Sequence, residues 1–154
     1  MAAVCDGLEW IGGVHRDAAA RHICLLRKRL LDGFAALRNV VVTYGASDSG
    51  CVAFNLRRGG ALLPFESVEA AARERGIAIR GGCFCNPGAA EHAFGIPAQR
   101  ARVCLDREGF TIKRFRECLG DRAVGALRAS LGIANNAADI DRLLELIEDE
   151  TRVH

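Results

Sequence analysis

Between His15 and Leu37 the apolar residues recur at spacings of three and four. Ile23, Leu26, Leu30, Phe34 and Leu37 share one face, and Arg27, Lys28 and Arg29 occupy the others. That period predicts a long amphipathic helix, stopped near Asn39. A β-branched run follows. Val40 to Tyr44 predicts a strand and Cys51 to Leu56 a second, antiparallel to the first because only the turn at 45–50 separates them. Arg57 to Ala61 reads as a loop. Glu66 to Arg75 predicts a helix ended by Gly76, and Ile77 to Arg80 a short strand. Thr111 to Leu119 has helical spacing, with Phe115 and Leu119 four apart. From Val124 to Leu131 the residues alternate: Leu127, Ala129 and Leu131 to one side, Ala126, Arg128 and Ser130 to the other. Asn135 or Asn136 caps a last helix whose apolar face is Ile140, Leu143, Leu144 and Ile147. Together these elements predict an α+β fold. Helices pack on a small mixed or antiparallel sheet, in a single domain over 1–154.

Half of the 154 residues are hydrophobic, enough for a core that needs no covalent staples. The 21 basic residues are balanced by 19 acidic ones, and no basic block interleaves with aromatics, so no nucleic-acid partner is expected. No apolar run approaches the ~18 residues of a membrane span. The first residues carry Asp6 and no basic run ahead of an apolar one, unlike a secretory signal, so the expected location is cytoplasmic. Seven cysteines stand at 5, 24, 51, 83, 85, 104 and 118. An odd number without an export signal favours reduced thiols over a disulfide framework.

Residues 79–88 read Ile-Arg-Gly-Gly-Cys-Phe-Cys-Asn-Pro-Gly. Arg80 brings a charge that favours a thiolate, Gly81 and Gly82 permit close backbone approach, and Asn86-Pro87-Gly88 is a turn. Cys83 and Cys85 both suit a reactive thiol. A zinc site from Cys83 and Cys85 with Cys104, Cys118 or His92 is the plainer alternative. However, one Cys-x-Cys pair with scattered partners departs from the usual C-x₂₋₄-C spacing, and no metal is expected. Arg128 lies inside an apolar strand, where a charge is either paired or faces a polar site. A buried ion pair and a bidentate clamp on a carboxylate are its two readings.

Three stretches, 50–55, 79–89 and 125–132 followed by Asp139-Ile-Asp141, resemble in order and spacing the C-terminal part of the class V aminotransferases. That family of pyridoxal-phosphate enzymes includes the cysteine desulfurases. The likeness is greatest to the desulfurase-like domain of molybdenum cofactor sulfurases and their bacterial homologues, and it runs over nearly the whole chain. It implies the C-terminal small domain of a fold-type I enzyme acting on a small amino-acid substrate. It implies that Cys85, five residues after Arg80, accepts sulfur as a persulfide. Arg128 would bind the substrate carboxylate, and Arg80 would be a second substrate-side arginine. Asn55 matches a polar position near the domain junction, with no role assigned. Sulfurases usually have a further cysteine where this chain has Ala90.

Pyridoxal phosphate requires a lysine for its Schiff base. This chain has two: Lys28, inside an Arg-Lys-Arg triplet, and Lys113. Neither lies in the Ser-x-x-His-Lys setting that the resemblance implies, and the large cofactor-holding domain has no counterpart in these residues. The expectation is a small domain that depends on a large domain, or on a homo- or hetero-oligomeric partner, and holds no cofactor alone. The alternatives are a non-enzymatic sulfur carrier or interaction module, and an inactive truncated remnant.

Overall fold

The computed structural model describes residues 2–45, 48–82, 92–106, 109, 111–120 and 124–152. The chain starts with helix α1 (Ala2–Gly13), followed by α2 (Arg16–Ala36). The stripe that predicts α2 buries as expected: Leu26, Leu30 and Phe34 enter the core, with Ile23 and Leu37 half-buried at its ends. Periodicity does not announce α1, because Gly7, Gly12 and Gly13 weaken its helix propensity. Its apolar residues also stay outside the core: Val4, Leu8, Trp10 and Ile11 are each more than half exposed.

Strands β1 (Val41–Tyr44) and β2 (Cys51–Arg58) pair antiparallel, as the short connection between them predicts. The expected loop at Arg57 is instead a tight hairpin. Strand β2 runs on to Arg58 and turns at Gly59-Gly60 into β3 (Ala61–Leu62), which pairs back onto it. Both glycines have positive φ, 58° and 85°, the combination a two-residue hairpin turn demands. Helix α3 (Phe65–Glu74) ends before Gly76 as expected. The next strand begins later than its apolar residues suggest: β4 is Arg80–Gly82, with Ile77 and Ile79 packed against the core just before it. Helices α4 (Ala98–Leu105) and α5 (Ile112–Cys118) follow, then β5 (Ala126–Ser130) and α6 (Ala137–Thr151). Asn136 caps α6: its side chain accepts from the amides of Ala138 and Asp139, and Asp139 accepts from the Asn136 amide.

The sheet order is β1-β2-β5-β4, every pairing antiparallel, with β3 on β2. One face carries Val52, Phe54, Leu56, Leu127 and Ala129 into a single core with α2, α3 and α6. Phe34 of α2 meets Phe54 of β2 there, ring centroids 4.9 Å apart. Two bridges clamp α6 from outside. Arg29 of α2 donates through two nitrogens to Asp141, at 2.7 and 2.8 Å, and Arg75 reaches Asp149 at 2.8 Å. A second, smaller cluster forms around α4 and α5, from Ile96, Ala101, Cys104, Leu119 and Val124.

Within that cluster the expectation of reduced thiols fails. Cys104 and Cys118 are joined by a disulfide, their Cα atoms 5.8 Å apart, while Cys5, Cys24 and Cys51 are free and exposed. The cysteine tally hides this pair because its members are brought together by helix packing, not by spacing.

Two predictions follow from the packing. A Cβ at position 125 would lie 2.6 Å from a ring carbon of Phe65 and 2.8 Å from the carbonyl oxygen of Gly82. Since that oxygen belongs to backbone, Gly125→Ala should cost about 1–3 kcal/mol in urea unfolding; an unchanged midpoint would show that the strand end yields freely. The hydrogen bonds from Arg29 and Arg75 hold the Asp141 and Asp149 carboxyls below their ordinary pKa. A carboxyl lowered in the folded state stabilises it above the unfolded pKa of about 4 and ceases to as pH falls through the folded value. Thermal unfolding should therefore soften below about pH 4, and a double Asp141→Asn, Asp149→Asn variant should show a flatter acid limb.

Candidate functional site

The sheet face opposite the helices carries the polar chemistry. Alternation along β5 turns Leu127 and Ala129 to the core and leaves Arg128 and Ser130 exposed. Arg128 is therefore not a buried charge, and the buried ion pair is excluded. Pairing sets its neighbours. Arg128 lies opposite Ala53 on one side and opposite Arg80 on the other, and Tyr44 lies opposite Ala53 in turn. A single row thus crosses four strands: Tyr44, Ala53, Arg128, Arg80. The small Ala53 leaves space between the phenol and the guanidinium pair.

The juxtaposition of Arg80 and Arg128 is electrostatically unfavourable. Like charges directly opposite in a sheet destabilise it. Neither arginine has an ion-pair partner among the described residues, and both are exposed. Two guanidiniums side by side make a fork-shaped site for an anion, above all a carboxylate that accepts two parallel hydrogen bonds. Strand β4 ends at Gly82, directly ahead of the cysteine segment. Cys83 and Cys85, with the turn expected at 86–88, lie outside the described residues. His92 is exposed at the start of a helical turn at 92–94. The zinc alternative loses Cys104 and Cys118, which are bonded to each other.

Asn55, to which the motifs give no role, is a structural tie. It is 1% exposed, and its amide nitrogen donates to the Tyr44 hydroxyl at 3.2 Å and to the Gly125 carbonyl at 2.9 Å. It thereby joins β1 to the approach of β5, the strand that bears Arg128. Burial raises the Tyr44 pKa; the Asn55 hydrogen bond and the charge of Arg57 act in the opposite direction. Phe94 stacks edge-on against Tyr44 with centroids 5.2 Å apart. Beside this contact opens a cavity of about 660 Å³ lined by Tyr44, Arg57, Phe65, Phe94, Arg116 and Val124, among others. Sequence reasoning passes over Tyr44 and Phe94. The alternation that places Arg128 also places Tyr44 on the same face, but only the strand register brings them into one row.

Among the described residues, neither lysine lies on this face. Lys28 projects from α2, on the helix side of the sheet, and donates to Asp32 at 2.6 Å. Lys113 is exposed on α5. The arginine pair fits an anionic group; the lysines do not fit a Schiff base beside it.

The family model described as "Aminotransferase class-V" matches residues 1–143. The chain belongs to the class V aminotransferase family. Among its relatives, the molybdenum cofactor sulfurase of Drosophila melanogaster is 31% identical over 144 residues, 85% of this chain and 18% of that protein. The molybdenum cofactor sulfurase of Neurospora crassa is 31% identical over 144 residues, 86% of this chain and 15% of that protein. The class V chain described here thus spans less than a fifth of the length of these relatives. Its fold matches the apo cysteine desulfurase of Thermococcus onnurineus with a TM-score of 0.60 and 21% identity, over 94% of this chain and 29% of that one. It also matches the Escherichia coli cysteine desulfurase CsdA, in an S-sulfonic acid form, with a TM-score of 0.56 and 20% identity, over 92% and 27%. These likenesses bear out the α+β fold, a small antiparallel sheet with helices packed on it.

The arginine row makes a direct prediction. Arg80→Gln relieves the repulsion across β4 and β5, so it should stabilise the fold in urea at low salt by about 0.2–1 kcal/mol. The gain should shrink at high ionic strength. A less stable variant would mean that Arg80 holds the strand rather than a ligand.

Proposed function

We propose that this chain is the small domain of a cysteine desulfurase-like class V enzyme, and that it supplies the substrate clamp and the sulfur acceptor of a two-part active site. Arg128, with Arg80 beside it, binds the carboxylate of a small amino-acid substrate. Cys85 takes up the substrate's sulfur as a persulfide. The pyridoxal phosphate on which the family depends is held by a large domain or by an oligomeric partner, and the complex works in the cytoplasm. The observation that carries this reading is the Arg80–Arg128 pair, two unpaired cations on adjacent strands, one of which leads within three residues to the cysteine segment.

Two further observations support the division of labour. Both lysines stand away from the arginine row, as described above. Helix α1 exposes Val4, Leu8, Trp10 and Ile11, an apolar surface of the kind that a partner covers. The lysine placement also favours a second reading, in which the chain is a cofactor-free sulfur carrier. In that case the Cys85 thiolate attacks the outer sulfur of a donor persulfide, R–S–SH. The S–S bond breaks, the terminal sulfur passes to Cys85, and the donor leaves as its thiol R–SH.

The test has two arms. The chain alone, given cysteine and pyridoxal phosphate, should form no aldimine absorbance band and release no sulfide; a band abolished by borohydride would overturn the assignment of the cofactor to a partner. Mixed with an active cysteine desulfurase and cysteine, the chain should gain the mass of one sulfur atom on the Cys85 peptide, and Cys85→Ala should not. Sulfur found on another cysteine, or on none, would remove Cys85 from the acceptor role.

A further inference from the structure

The disulfide between Cys104 and Cys118 lies in a part of the molecule that the sulfur-transfer reading does not use. It joins α4 to α5, and these two helices build the smaller hydrophobic cluster, which shares no residue with the main core. Among the described residues that cluster has five buried members, two of them Cys104 and the small Ala101, with Phe94, Phe115 and Cys118 packed at its edge. A unit with so little apolar burial gains order chiefly from what ties its halves together. Its described attachments to the main body include the Phe94–Tyr44 stack and a long ion pair of 3.8 Å between Arg116 and Glu66, alongside Val124 at the head of β5. Ala93, Phe94, Arg116 and Val124 form one wall of the cavity beside the sheet's polar face.

The two sulfurs are placed unequally. Cys104 is 4% exposed, whereas Cys118 is half-buried and so open to attack from one side. Their surroundings are cationic. Arg100 precedes Cys104 by four residues, the spacing that sets side chains side by side on a helix, whereas Arg114, four before Cys118, donates to the Gly109 carbonyl at 3.2 Å. Arg102, Lys113 and Arg116 add to the same two helices, against Asp106 and Glu117. Positive charge stabilises a thiolate, so Arg100 favours Cys104 as the leaving group and makes the bond exchangeable.

We propose that Cys104–Cys118 is a reversible redox staple that sets the order of the α4–α5 unit and, through it, of the cavity wall. The reductant is a dithiol. Its first thiolate attacks the Sγ of Cys118, forming a mixed disulfide and releasing Cys104 as a thiolate. Its second thiol then attacks the mixed disulfide, leaving as a closed disulfide and freeing Cys118. Two electrons and two protons pass from the dithiol to the protein. A disulfide such as oxidised glutathione reverses the exchange in the same two steps. The proposal is independent of the sulfur-transfer reading, since neither Cys85 nor either arginine of the row takes part.

The experiment compares the full chain equilibrated with oxidised glutathione and with dithiothreitol. After alkylation with N-ethylmaleimide and digestion, the oxidised sample should contain a linked peptide with Cys104 and Cys118, and the reduced sample both residues alkylated. Hydrogen exchange across 98–118 should then be roughly ten-fold faster or more in the reduced protein, with α2 and α6 unchanged. Cys118→Ser, which removes the more exposed sulfur, should match the reduced wild type and ignore dithiothreitol. Absence of the linked peptide under oxidant would overturn the proposal. So would equal exchange in the two states, or a loss of protection spread through α2 and α6.

Discussion

The pairing of β5 with β2 on one side and β4 on the other holds the molecule together in both senses, mechanical and chemical. Its register sends Leu127 and Ala129 into the core with Phe54 and Val52, and it sets Arg128 on the opposite face beside Arg80. Because side chains alternate with a period of two, a slip of one residue would bury the guanidinium and expose the leucine. Burying an unpaired charge costs far more than the repulsion between two exposed ones. The apolar core therefore enforces the arginine pair. No local attraction brings these cations together; the hydrophobic demand on the other side of the sheet does.

That arrangement divides the molecule into a structural side and a chemical side. Helices α2, α3 and α6 cover one face of the sheet, and the salt bridges Arg29–Asp141 and Arg75–Asp149 lie on that outer layer, remote from the arginine row. The opposite face keeps its polar groups available, bordered by Phe94 and the α4–α5 unit. The close approach of Phe65 to Gly81 and Gly125 extends this division to the strand ends. A side chain at either glycine would push against that ring, so the absence of side chains there lets α3 press close to the strands that carry the arginines.

The layer of helices and hairpins is legible in the sequence because its signals are local. The stripe of α2, the alternation of β5 and the cap at Asn136 each lie within a few residues, and each appears where it is expected. The alternation of β5 separates Arg128 from Leu127 and Ala129 but leaves both a buried ion pair and a carboxylate clamp open, and its neighbour is not legible, since Arg80 and Arg128 meet only through a register fixed by residues elsewhere. The disulfide illustrates the same limit: Cys104 and Cys118 sit on different helices whose packing no local period encodes. The hairpin at Gly59-Gly60 differs, because its turn signal is local but the two-residue strand that follows is too short to show a period. Helix α1 escaped notice for a different reason, its glycines obscuring a helix whose apolar residues face outward.

The route of the chain has a kinetic consequence. Helix α2, the hairpins and α3 follow one another closely, so their contacts close short loops and form early. Strand β5 must instead return to β2 from far along the chain; the hydrogen bond from Asn55 to Gly125 alone joins residues 70 apart. Closing so long a loop costs entropy before any contact rewards it. The row that Arg128 shares with Arg80, Ala53 and Tyr44 therefore forms only once a long loop has closed. A chain synthesised only as far as α5 has α2 and α3 but neither β5 nor α6, so its sheet and its helical layer are both still open. Arg80 and Arg128 come side by side only when β5 closes the sheet against β2 and β4.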